Sequence, residues 1–254
     1  MIPLKDHNPT RRFPIITILL LVVNVYVYFL VQRPSEGEQR QLEFSLSYAA
    51  IPCELVQGEP LSKNELVRTF GRVNDSEACA PAGTDDSPAG FPDKPVYLAV
   101  LYSMFLHGSL LHIAGNMLFL WVFGNNIEDR MGIPGYILFY LAGGLAATAA
   151  HVLVQPDSTI PVVGASGAIA GVMGAYLVLF PNVRIFSVVF VILVFFRDIA
   201  AKWLLGFWFI SQFFTNPNAG VAWVAHVGGF AFGALVALLL RDRLRPARTP
   251  DPVY

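Results

Sequence analysis

Charge is what this sequence has least of. Asp, Glu, Lys and Arg make up 14% of its 254 residues against 55% hydrophobic, a balance too apolar for an ordinary soluble domain and suited to a polytopic membrane protein. The charges sum to −1 and form no basic patch, so nucleic acid is not an expected partner. Cysteine is nearly absent. Cys53 and Cys79 share one polar stretch, and the compartment that stretch faces decides their redox state. No His-Glu-x-x-His pattern occurs, and the apolar runs lack a facing pair of aspartates, so zinc and aspartyl chemistry within a membrane have no residues to work with. No internal repeat, metal motif or cofactor motif is found.

What is present is a series of apolar runs. Residues 1–12 are polar and carry Lys5, Arg11 and Arg12; Phe13 to Val31 is then an uncharged run long enough to cross a bilayer. No small-residue cleavage site follows it, so it reads as an uncleaved anchor with its amino end cytoplasmic. Arg33 to about Lys94 is a long polar connection with eleven acidic and six basic residues, expected on the far side, with a short interfacial helix within Ile51–Val67 and loose structure over Asn74–Asp93. On that side Cys53 and Cys79 can pair, closing a segment worth roughly 3 kcal/mol in chain entropy. After an interfacial approach, further spans are expected over about Leu110–Asn126, Ile133–Val154, Gly164–Phe180, Lys202–Thr215 and Ala222–Leu240. Val183 to Ala201 is read as a partly embedded cytoplasmic segment and Asn216–Gly220 as an outer turn. Arg241, Arg243, Arg245 and Arg248 follow the last span, so six spans and the positive excess at both ends put both termini in the cytoplasm. The expected division is an anchor (1–32), a long outer loop (33–106), a five-helix remainder (107–241) and a basic tail (242–254).

The polar residues inside these runs are the informative ones, because each is expensive in hydrocarbon. His112, Ser166 and His226 each lie within the first few residues of an outside-to-inside span, which brings them to one depth. Gly164, Gly167, Gly171 and Gly174 recur at helical spacing, and His226 is followed by Gly229 and Gly233 at i+3 and i+7, so both helices carry faces that allow close backbone approach. Alone, Gly164-Ala165-Ser166-Gly167 is a packing motif. With His226 opposite it becomes a nucleophile and its base, since a serine hydroxyl attacks poorly until a neutral imidazole accepts its proton. No acidic residue sits in either run to orient the base, so a dyad is expected. His112 and Asn116 share a helical face and offer donors that, with the Ser166 N–H, complete an oxyanion hole.

In His112-Ile113-Ala114-Gly115-Asn116, Gly164-Ala165-Ser166-Gly167 and Ala225-His226-Val227-Gly228-Gly229 with Gly233, the chain resembles the rhomboid family of intramembrane serine proteases. The resemblance implies an all-α, six-transmembrane-helix bundle, with Ser166 as nucleophile, His226 as base, His112 and Asn116 as oxyanion stabilisers, and no cofactor or metal. It also implies a structural turn at Glu128 and Arg130, with Asp129 between them solvated. Single-span membrane proteins are the implied substrates, cut near the outer face after entry beside the fifth span. The expected location is a bacterial cytoplasmic membrane. One departure stands out: where well-studied members place a tyrosine four residues after the serine, to stack on the histidine, this chain has Ala170. A catalytically dead client-binding relative and a transporter are the other classes. The first is opposed by the presence of both Ser166 and His226, the second by the apolar inner halves of the fourth and sixth runs.

Overall fold

A computed structural model describes residues 1–81, 83–190, 194–215 and 222–244. The expected turn over Asn216–Gly220, and Arg245 and Arg248 of the tail, lie outside the described residues.

Helices dominate. Helix α1 (Ile15–Tyr26) runs on as a π-helical turn over Val27–Gln32. Four short helices follow in the loop: α2 (Glu38–Tyr48), α3 (Pro52–Gln57), α4 (Lys63–Phe70) and α5 (Ala99–Ser103). Helix α6 (Leu110–Val154) is broken at Gly132, whose φ of 69° and ψ of 171° are not helical, giving two limbs, 110–131 and 133–154. Glycine takes that positive φ at no steric cost, and Pro134 is tolerated in the first turn of the new limb because its missing N–H would find no partner there. Helices α7 (Ser166–Leu179), α8 (Ala201–Gln212), α9 (Trp223–Leu239) and the short α10 (Arg241–Leu244) complete the set.

The fold is not all-α. Arg184–Phe190 and Val194–Ala200 form two antiparallel strands, β2 and β3, where a partly embedded segment was expected, and Ile2–Asp6 adds β1 to the other edge of β2. The reason is local: RIFSVVF and VFFRDIA are rich in β-branched and aromatic residues, and the pairing supplies backbone hydrogen bonds that an irregular apolar segment would lack. Asp6 fastens the sheet to the bundle by accepting hydrogen bonds from Tyr176 Oη on α7 (2.8 Å) and Asn126 Nδ2 on α6 (2.6 Å).

The turn between the limbs of α6 is also anchored from a distance. The buried Glu128 carboxylate accepts from the N–H groups of Ile16 (2.9 Å) and Thr17 (2.8 Å) and from Thr17 Oγ1 (2.8 Å). It therefore caps α1, placing negative charge at the positive end of that helix. Asp129 is not merely solvated: it accepts from the N–H groups of Arg11 and Arg12. Arg130 lies over the Phe180 ring, 5.4 Å from its centre.

Helices α7 and α9 make the closest contact in the bundle. A side-chain carbon added at Gly233 would fall 1.8 Å from the Gly171 carbonyl oxygen, and one at Gly229 would fall 2.1 Å from that of Gly167. Only hydrogen fits in either place. The glycines of α7 do not all serve one neighbour: at Gly167 an added carbon would meet Ala147 of α6 at 2.6 Å, whereas at Gly174 it would meet the Phe230 carbonyl of α9. The outer surface is apolar, with Val22 of α1, Leu138 of α6, Trp203 and Phe207 of α8 and Leu239 of α9 all more than half exposed. Two helices, Ile15–Gln32 and Leu110–Val154, are long and apolar enough to cross a membrane.

The polar loop is a small folded unit. Leu46, Ile51, Cys53 and Leu61 form its core, and Cys53 and Cys79 are joined by a disulfide with their Cα atoms 5.8 Å apart. Lys94 and Glu54 make a buried salt bridge at 2.5 Å. Burial raises the Glu54 pKa and lowers that of Lys94, and each partner's charge opposes the shift in the other.

Gly233→Ala should destabilise the protein by about 1–3 kcal/mol through overpacking, seen as a lower thermal midpoint in detergent. Gly206→Ala should not, because the added carbon on α8 would meet nothing within 4 Å. Cys53→Ser should cost the loop about 3 kcal/mol, and the native protein should show a gel-mobility shift only when reduced.

Candidate active site

Ser166 is the first residue of α7 and His226 lies in the first turn of α9. Because glycines let these helices touch, Ser166 Oγ and His226 Nε2 stand 2.8 Å apart. The other ring nitrogen, His226 Nδ1, lies 2.8 Å from Gln212 Oε1 at the end of α8. One turn earlier on α8, the Trp208 ring lies 5.8 Å from the His226 ring, centre to centre, and is itself stacked on Phe230 at 6.0 Å. The ring missing at Ala170 is thus supplied from another helix. Neither Trp208 nor Gln212 was singled out from the sequence. Their spacing of four, one helical turn, on a run that ends shortly before the histidine is the signal that was available.

Gly164 has a reason to be glycine beyond packing. Its φ is +130°, and a side-chain carbon there would lie 2.9 Å from His112 Nε2 and 3.2 Å from Ser166 Oγ. His112 and Ser166 therefore flank one small space. Ser109 caps α6 by accepting from the His112 N–H at 3.1 Å, which sets the histidine in the first turn. Its Nδ1 accepts from the Gly108 N–H at 3.4 Å, so the ring proton falls on Nε2 and faces that space. One turn on, Asn116 is buried and its Nδ2 has no partner among the described residues. A buried donor left unmade costs about 1–3 kcal/mol, a cost that a bound oxygen atom would remove. At the start of α7 the first i to i−4 bond runs from the Ile169 N–H to the Ala165 carbonyl, so the Ser166 N–H precedes the helical ladder and points out of it.

The segment leading to Ser166 is held from outside the bundle. Ser158 accepts from the Cys53 N–H, Val162 donates to the Ala50 carbonyl, and Thr159 donates to the Ser76 carbonyl. Thr69 Oγ1 and Thr159 Oγ1 are hydrogen-bonded at 2.7 Å. Ser103 joins the two parts: its hydroxyl accepts from the Ala50 N–H at 2.7 Å and its carbonyl from the Gly164 N–H at 2.9 Å. The disulfide-bonded loop unit, for which the sequence offered no role, is thereby fastened to the chain two residues before Ser166.

Fold and site define a mostly helical protein with an apolar outer surface, in which a serine and a histidine meet between two glycine-packed helices. The family model described as "Rhomboid domain" matches residues 95–243, and the chain belongs to the rhomboid family, whose members are integral membrane proteins. It is similar to Rhomboid protein 1, mitochondrial, of Saccharomyces cerevisiae, 28% identical over 54% of this chain and 33% of the relative. It is similar to the Presenilin-associated rhomboid-like protein, mitochondrial, of Mus musculus, 30% identical over 68% of this chain and 45% of the relative. A shorter match, 38% identical over 31% of this chain and 15% of the relative, is to Rhomboid protease GluP of Bacillus subtilis. The chain thus spans less than half the length of each. Two of these three are named for mitochondria, so the expected bacterial cytoplasmic membrane draws no support from them.

Gly164→Ala should abolish reaction of Ser166 with a fluorophosphonate probe, because the new methyl group would fill the space between His112 and Ser166. Alanine is strained at a φ of +130°, so the thermal midpoint should fall as well, and labelling is compared at a temperature where both proteins are folded.

Proposed function

We propose that this protein is an intramembrane serine endopeptidase that cleaves single-span membrane proteins near the face carrying the disulfide-bonded loop. The observation that carries the reading is the 2.8 Å contact between Ser166 Oγ and His226 Nε2, beside a buried Asn116 amide with no partner among the described residues. His226 accepts the hydroxyl proton as Ser166 Oγ bonds to the substrate carbonyl carbon. The oxygen of the tetrahedral intermediate then takes hydrogen bonds from His112 Nε2–H, Asn116 Nδ2–H and the Ser166 N–H. When the carbon–nitrogen bond breaks, His226 returns the proton to the leaving amine. Water, deprotonated by the same imidazole, then hydrolyses the acyl-enzyme and restores Ser166.

Helix α1, the two limbs of α6, α8 and α9 present apolar outer surfaces around an almost wholly buried α7, which supports six spans, and the basic residues near both ends of the chain support cytoplasmic termini. On that reading 1–32 is the anchor, 33–106 the outer loop, 107–241 the rest of the core and 242–254 the tail. Helix α7 has 14 residues, about 21 Å at 1.5 Å per residue, against about 30 Å of hydrocarbon. Ser166 therefore starts below the lipid surface, where a substrate helix must unwind before its shielded peptide bonds can be attacked. The disulfide fits an oxidising compartment on that side. Ala170, the departure from the family pattern, does not leave the histidine without a ring beside it, because Trp208 lies against His226.

A fluorophosphonate probe should label the purified protein at Ser166 and fail to label Ser166→Ala; label retained by Ser166→Ala would place the nucleophile elsewhere. In vesicles carrying a reporter single-span substrate, His226→Ala should abolish cleavage. Asn116→Ala should lower kcat about 10²-fold or more, the usual effect of removing one oxyanion donor.

A further inference from the structure

The geometry points to Gln212 as a positioning residue that holds His226 in the one tautomer able to accept the Ser166 proton. This rests on the serine-protease reading. The 2.8 Å contact between His226 Nδ1 and Gln212 Oε1 allows either atom to be the donor only if the amide is free to turn over. It is not free. Gln212 Nε2 lies 3.0 Å from the Trp208 carbonyl oxygen and 3.3 Å from Ser211 Oγ, and a backbone carbonyl can only accept. The nitrogen end of the amide is thereby assigned to Trp208 and the oxygen end to His226. Since Oε1 is an acceptor, Nδ1 must carry the ring proton, and Nε2 is left with the lone pair that faces Ser166.

Without that contact an imidazole divides between two tautomers and rotates about χ2, and the form protonated on Nε2 cannot act as base. The Trp208 ring on one side of His226 limits rotation but does not select a tautomer, because a ring face makes no hydrogen bond to Nδ1. Gln212 therefore does a separate job, and it does so without charge. The ionisable side chains that act on His226 are His112 and His151, both from α6, beside Ser166 from α7 and the uncharged Gln212 from α8. No carboxylate faces the ring among the described residues, so the imidazolium formed during reaction is oriented but not neutralised.

Two variants separate this role from simple packing. Gln212→Met keeps the bulk and removes the acceptor; Gln212→Glu keeps the acceptor and adds a negative charge. In full-length protein in nanodiscs with ¹⁵N-labelled histidine, the wild type should show His226 with its proton on Nδ1, and Gln212→Met should show a mixture of tautomers. The same change should lower kcat about tenfold, the equivalent of one ordinary hydrogen bond, with KM altered less than about twofold. Gln212→Glu should recover most of the activity lost in Gln212→Met and move the acid limb of the kcat/KM profile to higher pH, because a carboxylate stabilises the imidazolium. Wild-type kcat and an unmixed tautomer in Gln212→Met would overturn the assignment. So would equal losses in both variants with an unmoved pH profile, which is what a packing role gives. If the wild type shows no Ser166-dependent cleavage, the proteolytic reading falls, while the tautomer signals still decide whether Gln212 orients His226.

Discussion

Everything at the site depends on two backbones being allowed to touch. Between α7 and α9 there is room for a hydrogen atom but not for a methyl group at Gly229 and Gly233, and the separation of Ser166 from His226 follows from that distance. In a membrane this contact cannot rest on apolar burial, since lipid tails solvate an apolar helix as well as another helix does. It rests on close packing, on Cα–H to carbonyl contacts and on the absence of side chains that would lose entropy. A leucine at any of these positions would add apolar area and push the serine and the histidine apart. The chemistry is thus carried by what the residues around it lack.

The loop unit extends the same rigidity to the outer end. Its core is small, so a disulfide takes the place of apolar bulk. The chain from Ser158 to Gly164 is held by that unit through the Ala50, Cys53, Thr69 and Ser76 contacts and through Ser103. Gly164, in a conformation that favours glycine, sits between the last of these bonds and Ser166. A glycine that can take many backbone conformations needs fixed points on both sides to hold one of them; the loop supplies one and the start of α7 the other.

The sequence made legible what depends on spacing along one helix and left hidden what depends on pairing across the chain. The break before Ile133 and a start of α7 within two residues of the expected Gly164 follow from periodicity within single runs, and the glycine spacing in the fourth and sixth runs pointed to the faces on which Ser166 and His226 meet. The sheet did not follow, because β1 lies some 180 residues from β2 and RIFSVVF alone reads equally well as a stretch of apolar helix. The Asp129 contacts were hidden for the same reason, their partners being the N–H groups of Arg11 and Arg12. Gln212 and Trp208 were hidden differently. Both lie in a run whose composition is unremarkable for a span, and only the packing of α8 beside α9 brings their side chains to the histidine.

That last point bears on how such a site can open. His226 is held on two sides by elements of unequal firmness. On the Nε2 side are α7 and α9, locked by glycine contacts that leave no slack. On the Nδ1 side is α8, a 12-residue helix of about 18 Å, too short for an average bilayer and with Trp203, Phe207 and Ile210 turned outward. Displacing α8 would cost the ring contacts of Trp208 and Phe209 with Phe230 and the Gln212 bond, but would leave the serine and the histidine in contact. On the proposed reading, a substrate entering beside α8 would meet a serine still in contact with a histidine that has lost its fixed tautomer, and full competence would return as α8 closes behind it. Orientation of the base and closure of the site would then be one event, because a single helix would perform both.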